Sequence, residues 1–399
     1  METIQILKNV VQEYAWGSFT AIPDLLGQKT ISSKPQAELW IGAHPKAPSR
    51  VQINGKWESL IDLIEKNPKD ILGKKAADHF NNRLPYLFKI LAAEKPLSIQ
   101  AHPDLLQAKN GFEKENNLNI ALNAYNRSYK DKNHKPECIC ALTSFWALNG
   151  FRKINDIIML MEKICPKEIT KQLYDLKQNP DSHGLKTFFN FIMTVNENNL
   201  HKLVDGAITN AKKYSKDDPA YEWMIKLYNE YLVDVGIFSP ILLNLVCLIP
   251  GQAMYLSPGQ LHAYLKGVGI ELMANSDNVV RGGLTKKHID LKELMSIVNF
   301  NETKIKILEP AKQTDSESVY LCPAKEFVLS VINVTKQILY ISKTERNVEI
   351  IICIKGNANI CDPGSNFSFP IQKGTSLIIP ASIEKYTIEG NATLYKASV

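Results

Sequence analysis

The apolar residues of this chain change their period twice, and that alternation limits the folds it can adopt. Over the first 150 residues, short β-type runs are punctuated by Pro and Gly, and residues 39–41, 50–53, 86–91 and 98–101 read as strands. Short helices are expected over 60–66 and from Leu105 into Phe112. From Ile154 the period becomes helical: Ile157, Ile158, Leu160 and Met161 begin it, and residues 185–193 and 200–211 continue it. Asp218-Pro219 sets an N-cap acid before a first-turn proline, and Met224, Leu227, Tyr228 and Tyr231 then share one stripe. β-character returns over 241–248. It alternates strongly over 327–334, 338–341, 348–354, 376–379 and 393–395, which fits a β-sandwich or jelly roll.

A chain of 399 residues is long enough for two or three domains, and 45% hydrophobic with 22% charged residues is ordinary for a soluble protein. The net charge of +6 is spread among acids, which argues against a nucleic-acid or membrane partner. A mild positive bias favours a small anionic substrate. Seven cysteines cannot all pair, and Cys138-x-Cys140 has no second pair at zinc-ribbon spacing, so free thiols in a reducing cytosol are expected. Met1-Glu2-Thr3-Ile4 lacks a signal-peptide pattern. The most apolar stretch, 237–249, is broken by Ser239, Pro240 and Asn244 and is too short to cross a bilayer. A cytoplasmic location is expected.

Three distant segments carry metal-ligating side chains: Gln100-Ala101-His102, His134-Lys135-Pro136-Glu137 and His262-Ala263-Tyr264. Residues two apart on a strand share a face, so Gln100 and His102 can converge on one ion. Glu137 and His262 would complete a set of two nitrogens and two oxygens that suits zinc. Each has an ordinary reading too. A lone histidine is more often a satisfied core or surface residue, Glu137 an exposed strand-end acid, and Gln100 a hydrogen-bonded strand residue.

The segments Leu84-Pro85-Tyr86-Leu87-Phe88-Lys89 and Pro96-Leu97-Ser98-Ile99-Gln100-Ala101-His102-Pro103 resemble the core signature of type I phosphomannose isomerases, the mannose-6-phosphate isomerases. Asn133-His134-Lys135-Pro136-Glu137 and the run from His262 to Thr285 match further blocks in the same order. Tyr14-Ala15-Trp16-Gly17 and the stretch from Ala37 to Pro45 are similar as well. The resemblance covers nearly the whole chain and is closest to the bacterial form. Three departures stand out: Leu105 after Asp104 where lysine is common, Leu261 for the usual proline, and Lys286 for the proline of the Gly-Leu-Thr-Pro-Lys block.

Taken with the period changes, the resemblance implies a mostly β protein with two cupin- or jelly-roll-like barrels and an α-helical insertion. Residues 1–150 with 236–320 would form the metal-binding catalytic domain, 151–235 the helical insertion, and 321–399 a C-terminal β domain without metal. A short repeat fits the two-barrel reading. Gly251 precedes His262 by eleven residues with Pro258 between, and Gly374 precedes Lys385 by eleven with Pro380 between. The second copy then has a cation in place of a ligand; chance similarity of two turns is the alternative.

The activity implied is interconversion of mannose 6-phosphate and fructose 6-phosphate by proton transfer through an enediol(ate), serving mannose metabolism and GDP-mannose supply. One zinc ion per chain would be held by Gln100, His102, Glu137 and His262. Glu271 is the expected base if burial raises its pKa, with Lys135 and Tyr264 as alternative shuttles. Arg281 and Asp277 would line the pocket; an Arg281–Asp277 ion pair is the competing reading. Lys89, Ser98 and Lys135 are the expected phosphate ligands, and Trp16 sits near the substrate entrance or in the core. A monomer acting on a small sugar phosphate is expected. The alternatives are a metal-dependent cupin oxygenase and a non-catalytic sugar-phosphate sensor.

Overall fold

Residues alternate along the strands Tyr86–Ala93, Glu137–Ala141 and His262–Ala274, and both faces of these strands are covered over most of their length. Tyr86, Phe88, Ile90, Ala92, Cys138, Cys140, Ile270 and Leu272 join one apolar core, shared with Leu329, Ile350, Ile352, Ile378 and Tyr395 of the C-terminal strands. Leu91, Ala93, Ile139 and Ala141 join a second core on the opposite face. The period of two therefore sends Lys89, Glu137 and Glu271 away from the shared core and into the first barrel.

The computed structural model describes residues 3–364 and 367–399; Met1 and Glu2 of the segment read for a signal peptide lie outside them. Among the described residues there are two eleven-stranded sheets. One runs Ile307–Leu308, Ala253–Leu256, Glu137–Ala141, His262–Ala274, Tyr86–Ala93, Glu38–Gly42, Val10–Gln12. Ile99–Ala101, Phe145–Phe151, Leu243–Leu248 and Val280–Gly283 attach to it through the first half of His262–Ala274. The other sheet holds the C-terminal strands, with Gln5–Lys8 paired to Ser376–Ile379 and, on its far side, to Arg50–Ile53. Tyrosine hydroxyls tie the two together: Tyr86 donates to the Ala397 carbonyl and Tyr320 to that of Gly251.

Five helices, Ile154–Ile164, Thr170–Gln178, Ser182–Thr194, Glu197–Lys213 and Pro219–Tyr231, fill the middle of the chain. The last three start at capping side chains: Asp181 accepts from Gly184, Asn196 from Asn199, and Asp218 from Ala220 ahead of Pro219. Their apolar stripes share a core with Ile99, Ala101, Leu148, Phe151 and Ala263, so the helices brace the wall that carries Gln100 and His262. No helix among the described residues is long and apolar enough to cross a membrane.

Two local expectations change. Residues 239–242 form a helical turn, because Pro240 sits well in a first turn, and the strand runs only over Leu243–Leu248. Gly251 and Gly374 both have positive φ (91° and 86°) and each lies two residues before a four-residue strand. The next strand, however, begins at His262 in one copy and Thr387 in the other, so Lys385 is exposed and occupies no position equivalent to His262.

Within His262–Ala274 the ladder shifts register between Tyr264 and Lys266, and pairing passes from Phe145–Phe151 to Tyr86–Ala93. Gly267 makes that bend with φ 134°, and a Cβ there would lie 2.6 Å from the Ser144 carbonyl oxygen. Gly267→Ala is expected to cost about 2–3 kcal/mol of stability. A lower urea midpoint with an unchanged m-value is the expected reading, and an unshifted midpoint would contradict it.

Candidate metal centre

Register brings the predicted donors together. His262 lies opposite Gln100, Glu271 opposite Lys89 and Met273 opposite Glu137, so strands paired along the length of His262–Ala274, on both sides of its bend at Gly267, carry these side chains. One donor atom each from His102, Glu137 and His262 lies within 4.8 Å of the others, and all three residues are buried. Nε2 of His102 is 3.3 Å from Glu137 Oε1, and Nε2 of His262 is 3.5 Å from Glu137 Oε2. Gln100 lines the same cavity of about 60 Å³, with Glu137 and His262.

Each histidine holds its other ring nitrogen on a backbone carbonyl: Nδ1 of His102 is 2.7 Å from the Asn278 oxygen, and Nδ1 of His262 is 3.0 Å from the Gln260 oxygen. A carbonyl only accepts, so Nδ1 carries the proton in both rings and the Nε2 lone pairs face Glu137. This is the arrangement that metal-binding histidines adopt. Nε2 of His102 is fully buried and makes no hydrogen bond, an expensive condition that a cation would relieve. The residues present therefore fit a divalent ion held by two imidazoles and one carboxylate, with Gln100 in the lining of the same cavity.

Around these donors the charges are paired. The Lys135 ammonium is 2.9 Å from Glu137 Oε1. Burial alone would raise the Glu137 carboxyl, but Lys135 and His102 outweigh it and hold it well below the usual range. Lys89 is buried between Glu271 at 2.8 Å and Glu38 at 3.4 Å, and its ammonium lies 5.5 Å from the Trp40 ring centre. Burial would lower the Lys89 pKa, yet Glu271 and Glu38 raise it, so this lysine stays charged. The Glu271 carboxyl is pushed up by burial, against the pull of Lys89. Tyr264 is buried, with its hydroxyl 3.5 Å from Glu137 Oε2; burial and then Glu271 push its pKa well up.

Asp277 does not pair with Arg281. It meets His44 at 3.5 Å and Lys46 at 3.0 Å, because those two side chains reach its carboxylate. Burial would raise the Asp277 carboxyl, but His44 and Lys46 hold it well below the usual range. Arg281 is half-buried, opposite Gln100 in register, and its guanidinium makes no hydrogen bond or ion pair among the described residues. Ser98 accepts from Gln100 at 3.4 Å, inside the cavity lining. Trp16 is half-buried, packs against the second core and lies with its ring tilted 32° to that of Tyr14 at 5.8 Å. Sequence reasoning missed Glu38, His44, Lys46 and Asn278. Glu38, His44 and Asn278 lie within the family-like segments and Lys46 just beyond one, but their partners are remote in sequence and no spacing rule reveals them.

Comparison with known proteins matches these observations to one family. Residues 4–154 match the catalytic-domain model of phosphomannose isomerase type I, and residues 317–399 match the cupin-domain model of mannose-6-phosphate isomerase. The mannose-6-phosphate isomerase of Escherichia coli (strain K12) is 38% identical over 394 residues, covering 98% of each chain. A crystal structure of a zinc-bound mannose 6-phosphate isomerase superposes with a TM-score of 0.91 at 36% identity, over 99% of both chains. A mutant phosphomannose isomerase from Salmonella typhimurium gives the same values.

Burial, then Lys135, lowers the pKa of His102 to about 4. In metal-stripped protein the unfolded chain takes up a proton below about pH 6.5 that the folded chain refuses, so stability should fall as pH drops from about 6.5 to about 4. The loss from this group is roughly 3 kcal/mol. Denaturant titrations of the apoprotein and its His102→Asn variant isolate it: the variant should lose this slope, and parallel curves would refute the assignment.

Proposed function

The chain belongs to the type I phosphomannose isomerase family, and on that premise we propose that it is a zinc-dependent isomerase interconverting mannose 6-phosphate and fructose 6-phosphate. The observation that carries the reading is the convergence of His102, Glu137 and His262 about an unpartnered buried nitrogen, at the edge of a cavity also lined by Glu271, Lys135 and Gln100. Zinc bound there would supply a redox-inert positive charge that polarises substrate oxygen.

The remaining steps fall to side chains. Glu271 is proposed as the base that moves a proton between adjacent sugar carbons, passing through an enediol(ate). The support is its place in the cavity lining and the upward push of burial on its carboxyl, which makes the carboxylate a stronger proton acceptor. Lys89 holds one Glu271 oxygen and so aims the carboxylate. Lys135, charged beside Glu137, is proposed to stabilise negative oxygen as it develops, with Tyr264 as a neutral hydroxyl nearby.

Lys89 and Lys135 are both committed to carboxylates, which moves the phosphate elsewhere in this reading. Arg281 has no such partner, and it lowers the pKa of both Lys130 and Lys287 behind the larger effect of burial. Lys46 acts on the same two lysines. These four cations form a group without matching acids apart from Asp277 and the more distant influence of Glu115, and they are proposed to receive the dianion. The division into a metal-binding unit (1–150 with 236–320), a helical insertion (151–235) and a metal-free C-terminal unit (321–399) is part of the proposal. Its support is that the donors all come from the first unit, while Lys396 in the last is paired with Glu349 of the same unit and with Glu317 just before its boundary.

Mannose 6-phosphate should yield fructose 6-phosphate in a coupled assay, EDTA should abolish turnover and Zn²⁺ should restore it. Full activity in stripped protein would end the zinc reading. Arg281→Ala should lower kcat/KM roughly 10–100-fold at unchanged zinc content. A parallel loss of zinc would make the arginine a support for the metal centre instead. Glu271→Gln should reduce kcat by at least about 10²-fold with zinc retained; near-normal turnover would exclude it as the base.

A further inference from the structure

The carbonyl that fixes the His102 ring belongs to Asn278, and the side chain of the same residue does something separate. Its Oδ1 accepts from the backbone N–H of Lys130 at 2.6 Å and of Asp131 at 3.1 Å. Its Nδ2 donates to the carbonyls of Asp131 at 2.9 Å and Asn133 at 2.8 Å. Asn278 is completely buried, and every hydrogen-bonding valence of its amide is used. Asp131 answers from the other side: its carboxylate accepts from Ser276 Oγ at 2.9 Å and from the Asp277 N–H at 2.8 Å.

The two segments joined this way are the approach to Lys135 and Glu137 and the turn before Arg281. Further bonds extend the seam: the Ala274 N–H donates to the Pro136 carbonyl at 3.0 Å, and Val279 to Ser128 at 3.4 Å. Neither segment is regular structure over 128–135 or 275–279, so helix or sheet ladders do not hold them there. One residue thus addresses two donors at once. Its carbonyl holds the His102 ring, and its amide holds the chain that leads to Glu137.

We infer that Asn278 is a positioning residue of the metal centre, its side-chain clamp on residues 130–133 fixing the carbonyl that orients His102 relative to Glu137. The inference rests on the proposed ligand set but needs no substrate. Without the clamp, the carbonyl is free to leave Nδ1, and the imidazole then populates the tautomer that carries its proton on Nε2. That tautomer cannot ligate through Nε2 until the proton leaves.

The test uses full-length Asn278→Ala and Asp131→Asn, which loosen the clamp from opposite sides, with Gly390→Ala as a destabilised control in the C-terminal sheet, where a Cβ would lie 2.7 Å from the Asn357 carbonyl oxygen. Zinc affinity, read by chelator competition, should weaken 10–100-fold in both clamp variants and stay near wild type in the control. Nitrogen-15 spectra of the metal-free variants should show the Nε2-protonated form of His102, absent from wild type. Unchanged zinc affinity with an unchanged tautomer in a folded clamp variant overturns the inference, as does equal weakening in the control. Should Asn278→Ala fail to fold, Asp131→Asn decides by the same criteria. Because both readouts omit sugar, a failure here is distinct from a failure of the isomerase reading, which the coupled assay tests.

Discussion

The strand His262–Ala274 is hydrogen-bonded along its first part to Phe145–Phe151 and Ile99–Ala101, and along its second part to Tyr86–Ala93 and Glu137–Ala141. His262, Tyr264 and Glu271 lie on it, and Gln100, Lys89 and Glu137 lie on strands paired with it. A straight strand cannot serve both sets of neighbours, and the turn at Gly267 lets one segment close the barrel wall. His262 and Glu271 therefore keep a fixed separation through covalent backbone, with Gln100 and Lys89 set opposite them by pairing.

Charge then decides what this interior can accept. Glu38, Glu137 and Glu271 face Lys89 and Lys135, so three carboxylates meet two ammonium groups and one negative charge remains when all are ionised. A bound divalent ion would reverse that sign beside His102 and His262. The C-terminal barrel contains a similar construction with a different outcome. Lys396 lies 2.8 Å from Glu317 and 3.0 Å from Glu349, and it donates to the Tyr340 hydroxyl at 2.8 Å. Its ammonium already satisfies those acids, whereas in the first barrel the histidine lone pairs are left facing Glu137. Breaking either buried pair would strand a charge, so both networks serve to fix conformation more than to add stability.

Much of this was legible in the chain. Period alone separated the helical stretch, because each helix buries one stripe against the barrel wall, and the caps at Asp218 and its proline are local signals. The donors were legible only through their blocks, since strands bring them together from remote positions. The structural likeness to phosphomannose isomerases bears out the mostly β, two-barrel class. What the chain hid was pairing. Asp277 and Arg281 stand four residues apart, a helical spacing, but this segment is turn and strand, so Asp277 finds His44 and Lys46 instead. Lys89 reads as a free cation until its register opposite Glu271 is known. The turn over 239–242 was hidden because its residues are as apolar as the strand that follows.

Where the donors come from also determines how ion binding and folding are linked. His102, Glu137 and His262 reach one point only when Ile99–Ala101, Glu137–Ala141 and His262–Ala274 are assembled, so no fragment of the chain presents the set. An ion that binds the folded state alone stabilises it by RT ln(1 + [L]/Kd), and here that increment belongs to the whole barrel. The free energy of a local loop site would be spent on ordering the loop. In this barrel the apolar cores on either face of the strands have already done the ordering. The ion's binding energy is then available to hold orientation at the centre, and the irregular segments 128–135 and 275–279 are the part of the site where orientation is not guaranteed by a ladder.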